Sequence, residues 1–330
     1  MTLAPAPLDA VGPDGLLRCG RYQGLAGAPG WAQLAPPQAR GALWRRLHHK
    51  RWHFVALVTD DLFCGVAIVD IGWSNTCFAY VFDRAERKVV AAFSPLGVAG
   101  LTASVGATVA EGARFAIPGR RIAIESAGLH GHRLRLRAGR FRIDAEYAGD
   151  GPRLTAIGQV FDGGSVHTTQ KSPGLALSGQ LEAGGRRYLL DGGVASYDFS
   201  NGLLGRRTAW RWISAHGAAH GARLGFNLQS GYFGDAENAL WLDGQLFPLG
   251  PLAVEVEPDG CWSMHTGDGL LALRFTPEGT RCDDKQLVVA SSSMRQHVGR
   301  FDGWLKAGAD APRRPVEGLA GLAEDYRARW

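Results

Sequence analysis

The sequence predicts a mostly β protein. The 46 glycines and 16 prolines in 330 residues are rich in turn formers, glycine at about twice its usual share. Turn signals recur about every ten residues between short apolar runs, the spacing of strands joined by tight connections. A convincing helical stripe occurs only in the tail. Hydrophobic residues at 45% and charged residues at 20% fit a globular chain with a real core, and 35.3 kDa allows one large domain or two ordinary ones.

Residues 1–40 are rich in Pro, Gly and Ala and read as an irregular arm. From residue 51 to 94 three or four strand-length runs follow, broken at Thr59-Asp60-Asp61, Gly72-Trp73-Ser74-Asn75 and Asp83-Arg84-Ala85-Glu86. That is the pattern of an antiparallel meander. Residues 95–112 are small and glycine-rich, and strands are expected at 121–126, 132–137 and 140–147. The breaker cluster Gly149-Asp150-Gly151-Pro152 marks the expected divide between a first barrel, 41–150, and a second, 151–330. Two β-rich halves suggest two related barrels or one large sandwich.

Beyond the divide, strands are expected at 154–160, 175–182, 187–190, 208–214, 223–229, 239–242, 252–257, 262–265, 270–275 and 286–292. Asp243-Gly244 and Gly184-Gly185 are hairpin turn signals. His216 and His220, set among Gly and Ala, read as a hairpin loop. In the tail, Leu319, Leu322, Ala323 and Tyr326 fall at i, i+3, i+4 and i+7, which predicts a short C-terminal helix.

A net charge of +5 is too mild to imply nucleic acid. Arg133, Arg135 and Arg137 alternate with leucines and read as a solvated strand face. Five cysteines without a Cys-x-x-Cys pair support neither a zinc site nor a disulfide framework, and Cys64 and Cys77 read as core. No basic leader, and no apolar run of about eighteen residues, is present; the cytoplasm is the expected location. The glycine patterns of dinucleotide sites and P-loops are missing, as are His-Glu-x-x-His and Gly-x-Ser-x-Gly. Neither a cofactor nor a metal is expected.

Candidate chemistry concentrates in the second half. His167, Thr169 and Lys171 share one face if 167–171 is a strand; the alternative is an exposed edge, where lysine is common. Asp198 stands in Tyr-Asp-Phe-Ser-Asn-Gly, a turn that could present a carboxylate or merely bond its own backbone. Arg206 and Arg207 follow. Trp210 and Trp212 then share a strand face, as core anchors or as a cavity wall. Asn227 alternates with Leu224, Phe226 and Leu228. Glu237 shares a face with Trp241, while Asn238 lies on the other; a carboxyl beside an indole can be desolvated into an acid near neutral pH.

These pieces, in order, resemble a bacterial family known as domain of unknown function 2804. The resemblance spans nearly the whole chain and rests on KRWHF at 50–54, HTTQK at 167–171, YDFSNG at 197–202, RRTAWRW at 206–212, Asn227 in GFNL, ENALWLDG at 237–244 and GRFDGWL at 299–305. That family is distantly similar to lipocalin-like tandem β-barrel proteins of the carotenoid hydratase type. The resemblance implies two barrels with a ligand cavity, and it implies no reaction.

The expected function is binding, with transformation, of an apolar or amphipathic small molecule by cofactor-free acid/base chemistry of the hydratase, lyase or isomerase kind. Asp198, Glu237 and His167 are the candidate acid/base groups. Lys171, Arg207, Trp210, Trp212, Asn227, Asn238 and Trp241 are the candidate ligand contacts. Two alternatives stay open: a non-catalytic lipid or isoprenoid carrier, and a carbohydrate-active enzyme using Asp198 and Glu237.

Overall fold

The computed structural model describes residues 3–128, 130–219 and 221–330. The predicted meander is present: strands His49–Val58, Leu62–Asp70, Asn75–Asp83 and Lys88–Phe93 pair antiparallel in sequence order. Each break falls where Asp, Gly or Asn ends a run of β-branched and aromatic residues. Among the described residues the strands join two sheets, one of seventeen strands ending with Val194–Leu203 and one of nine from Arg207–Ala219 to Arg314–Arg329.

Each sheet curls around its own apolar interior. Val55, Leu57, Cys64, Val66 and Cys77 lie in the first; Ile213, Phe226, Leu228, Phe275 and Phe301 lie in the second. A third cluster, with Phe54, Ala67, Phe78, Trp212, Met294 and Leu322, packs one sheet on the other. Strand Leu62–Asp70 therefore buries both faces over most of its length, and it reads in sequence as a continuous apolar run. Strand Phe141–Ala148 has only the barrel interior to face and alternates buried with exposed residue by residue. On its outer side Arg133 of the neighbouring strand pairs with Asp144 at 2.9 Å, as a solvated face should.

The structure corrects several expectations. The tail is a strand, Arg314–Arg329, inserted between Arg207–Ala219 and Ser291–Leu305. Its apolar residues mimic a helix because both faces are buried: Leu319 and Ala323 point into the second barrel, and Leu322 points into the inter-sheet cluster. Helix does occur at Ala42–His48. The breaker cluster at 149–152 joins two strands of the same sheet; the chain changes sheets at Leu204-Gly205-Arg206. Part of the arm is ordered by pairing, since Gly20–Gln23 lies antiparallel to Leu154–Gln159. His216 is a buried member of strand Arg207–Ala219, and His220 lies outside the described residues. Among those residues no helix is long and apolar enough to cross a membrane.

Candidate ligand site between the two sheets

Cross-strand pairing places the polar residues in rows. On the first sheet, Lys171 is opposite Asp198, Asp198 opposite Phe54, Phe54 opposite Ala67 and Ala67 opposite Phe78. On the second, Gln229 is opposite Trp212, Trp212 opposite Glu324 and Glu324 opposite Gln296. Directly opposed residues share a face of their sheet, so each row turns one set of side chains toward the other sheet. Between the rows lies a cavity of about 140 Å³. Phe54, Val69, Phe78, Trp210, Trp212 and Met294 supply its apolar wall.

At one end Lys171 Nζ stands 2.6 Å from Asp198 Oδ2 and 2.5 Å from Glu237 Oε2. All three residues are buried. Burial works against the lysine charge, but the two carboxylates together raise its pKa above the ordinary value. Burial raises the Glu237 pKa, Lys171 opposes the rise and Asp198 adds to it. Trp212 donates its indole N–H to Asn227 Oδ1 at 2.8 Å, and Asn227 donates to the Glu237 carbonyl at 2.9 Å. The lysine ammonium also lies 5.8 Å from the Trp212 ring centre, within reach of its π face.

Glu324 is built differently. The Trp210 indole donates to Oε1 at 2.8 Å and the Gln296 amide to Oε2 at 2.6 Å. Neither donor carries a charge. Burial lifts the carboxyl to a pKa of about 7, with the two hydrogen bonds pulling the other way. Trp210 is in turn stacked on Tyr326 at 4.2 Å between ring centres. Beside this group the Gln229 amide lines the cavity with both its nitrogen and its oxygen buried and unpartnered, and Gln296 Oε1 is also unpartnered. Buried amide atoms without a partner mark a place where a ligand or water completes the hydrogen bonding.

Of the residues expected from sequence, Lys171, Asp198, Trp210, Trp212 and Glu237 meet on this cavity. Asp198 is not in a turn: strand Val194–Leu203 runs straight through it, and Asn201 spends its side chain on Trp31 and His49. Nor is 166–171 an exposed edge, because Val166–Lys171 is buried throughout between two neighbours. His167 stands behind the wall, its Nε2 3.3 Å from the hydroxyl of the wall residue Tyr232, and burial lowers its pKa to about 3.

Asn227 orients Trp212 without lining the cavity. Asn238 ties neighbouring backbone together, accepting from the Gln229 N–H at 2.6 Å and donating to the Gly250 carbonyl at 3.0 Å. Trp241 points away and donates to the Pro152 carbonyl at 2.6 Å. Arg207 is exposed on the opposite face of its strand from Trp210. Sequence reasoning missed Glu324, Gln296, Gln229 and Tyr232, the first because the tail read as a helix.

A family model, Domain of unknown function (DUF2804), matches residues 13–330. The chain belongs to that family. No curated protein matches it. Among solved structures, CghA is similar with a TM-score of 0.59 at 11% identity, over 99% of this chain and 98% of that one. CghA with Sch210972 gives 0.52 at 11% identity, covering 85% of this chain and 88% of that chain. Kievitone hydratase from Nectria haematococca gives 0.54 at 10% identity, over 100% and 98%. The shared fold is the lipocalin-like tandem barrel.

Proposed function

We propose that this protein binds an apolar or amphipathic small molecule in the inter-sheet cavity and transforms it by acid/base chemistry of the hydratase, lyase or isomerase kind. The observation that carries this reading is the pairing of two kinds of carboxyl group in one apolar cavity. Burial raises Glu324 to a pKa of about 7, so that it still carries a proton in part near neutral pH, while Asp198 sits against a lysine ammonium. The hydratase name of one structural neighbour agrees with the reading and supplies no residue roles.

Glu324 acts as the general acid. It gives its proton to the α-carbon of an activated alkene while Asp198, on the other sheet, takes a proton from the water that adds at the β-carbon. The transfer is balanced: the C=C π bond, one O–H bond of water and the Glu324 O–H bond break, a C–O, a C–H and an Asp198 O–H bond form, and the proton on Asp198 returns to Glu324 through solvent. Gln229 provides the unpartnered donor for the substrate oxygen. Lys171 fixes Asp198 and Glu237 and offsets one of their two buried charges. His167 is too weak a base, at a pKa of about 3, and too far behind Tyr232 to share the step. A sugar would find few polar partners on a wall of Phe54, Val69, Phe78 and Met294, and the Lys171 ammonium fills the space between Asp198 and Glu237 where a glycosidic bond would lie.

The test uses alkyl enones such as 3-nonen-2-one in ¹⁸O-labelled water, with mass analysis of the hydrated product. Wild type is expected to incorporate label, and Glu324→Gln to do so about 10²–10⁴-fold more slowly with an unchanged far-ultraviolet spectrum. Equal rates would remove Glu324 from the step. Binding of the enone without turnover would leave a carrier in place of an enzyme.

A further inference from the structure

Beside the cavity mouth lies a second, open hollow of about 890 Å³ whose walls include Arg206, Arg207, Arg327 and Arg329. Arg207 and Arg329 are directly opposed on neighbouring strands. Like charges in that relation repel. Within the protein little offsets the repulsion. Arg207 makes no hydrogen bond or ion pair among the described residues, and Arg206 donates only to the Val289 carbonyl, at 3.1 Å. Arg329 has a buried Nε with no partner at all. Arg327 has Asp325 at 3.6 Å, but Asp325 is shared with Arg211. Asp162 lines the same hollow without pairing to any of the four.

The hollow adjoins the ligand cavity. Ser291, Ser292 and Arg329 line both. A molecule with its charged end against the arginines would reach the apolar space between the sheets past these three shared residues.

We infer that the arginine hollow is an oxyanion site that holds the phosphate head of an amphipathic ligand whose apolar tail enters the inter-sheet cavity. The amphiphile rests on the reading of that cavity as a ligand site; the anion site stands on the arginines alone. Phosphate fits better than carboxylate because three guanidinium groups lack an acidic partner and a singly charged head would balance only one. Guanidinium groups bind phosphate oxygens in paired, directional hydrogen bonds.

Decyl phosphate, decanol and inorganic phosphate, titrated into the full chain in phosphate-free buffer of fixed ionic strength, test this by calorimetry. Wild type is expected to bind decyl phosphate at least about tenfold more tightly than decanol. In Arg206→Gln/Arg207→Gln, whose residues line the hollow and not the cavity, that advantage should vanish while decanol binding persists, and the variant should melt higher than wild type without phosphate because the opposition of Arg207 and Arg329 is gone. No head-group advantage in wild type, or an undiminished one in the variant, overturns the arginine site. Failure of decanol to bind, with inorganic phosphate still bound in an arginine-dependent way, overturns the amphiphile and the cavity reading together and leaves a free-anion site. Equal uptake of decyl phosphate by vesicles of neutral and anionic lipid must leave these ratios unchanged; ratios that track vesicle charge would assign the patch to a membrane surface instead.

Discussion

Asp198 and Glu237 share the Lys171 ammonium at 2.6 and 2.5 Å, whereas Glu324, buried in the same cavity, is held by an indole and an amide. All three carboxyl groups have left water. The first two keep a charge partner whose removal would strand them; the third, with no cation against it, has its pKa raised to about 7. The difference shows that burial alone does not fix the state of an acid: the formal charge of its neighbours decides which compensation it receives. The structural cost of burial therefore falls unevenly, more on the ion-paired triad than on Glu324.

The largest expected effect comes from removing the shared cation. Lys171→Met leaves two facing buried carboxylates uncompensated, which should cost about 3–5 kcal/mol, read as a lower urea midpoint at unchanged slope. Glu324→Gln, which exchanges one neutral hydrogen-bonding group for another of similar shape, should cost about 1 kcal/mol or less at pH 6. Adding Asp198→Asn and Glu237→Gln to Lys171→Met should recover much of the loss. Equal costs for Lys171→Met and Glu324→Gln would erase the contrast.

How far this was legible in the sequence follows from strand parity. HTTQK puts His167 and Lys171 on one face, and RTAWRW puts Trp210 and Trp212 on one face and Arg207 on the other. The same parity applied to the tail would have grouped Leu322, Glu324 and Tyr326. Apolar residues on the odd positions Leu319 and Ala323 hid it, because they fill a different core. Sequence shows alternation only where one face meets water, and the site strands bury both faces over much of their length. The switch between sheets was illegible for a related reason: it needs only Gly205 and its neighbours, whereas the louder cluster at 149–152 serves an ordinary connection.

The pH dependence of stability sharpens the comparison next. Burial raises Glu324 from 4.5 to about 7, so between those values the folded state holds a proton that the unfolded state has released. Its contribution is fully present below pH 4.5 and is lost as pH rises through about 7, by up to about 3 kcal/mol. His53, His132, His167 and His216, all lowered by burial to between about 3 and about 4, act in the opposite sense: the stability tied to their neutral forms is lost as pH falls below 6.5. They are common to wild type and Glu324→Gln and cancel in the difference. Denaturant unfolding of both proteins from pH 5 to pH 8 should show wild type losing stability relative to the variant; a flat difference would mean that Glu324 ionises normally.

The smallest effect isolates one donor. In Trp210→Phe the ring can still stack on Tyr326, which lies 4.2 Å from the indole, but the N–H to Glu324 Oε1 is lost. That bond favours the ionised carboxylate, and a hydrogen bond to a charged group is worth about 1.5–3 kcal/mol, or roughly one to two pKa units. Carbon-13 NMR of labelled glutamate carboxyls should follow the Glu324 midpoint upward from about 7 in this variant, with Gln296 left as its remaining donor. In Gln296→Leu the rise should be of similar size, since the Gln296 bond is the shorter at 2.6 Å. A midpoint that falls in either variant would mean that Glu324 finds a cation once its neutral donors are removed. Arg281 is the candidate: it already acts to lower the Glu324 pKa, and its side chain lies over Phe78 and Tyr80 and pairs with Asp283. Arg281 against the carboxyl would turn Glu324 into a second ion pair, and the cavity would lose its proton-bearing acid.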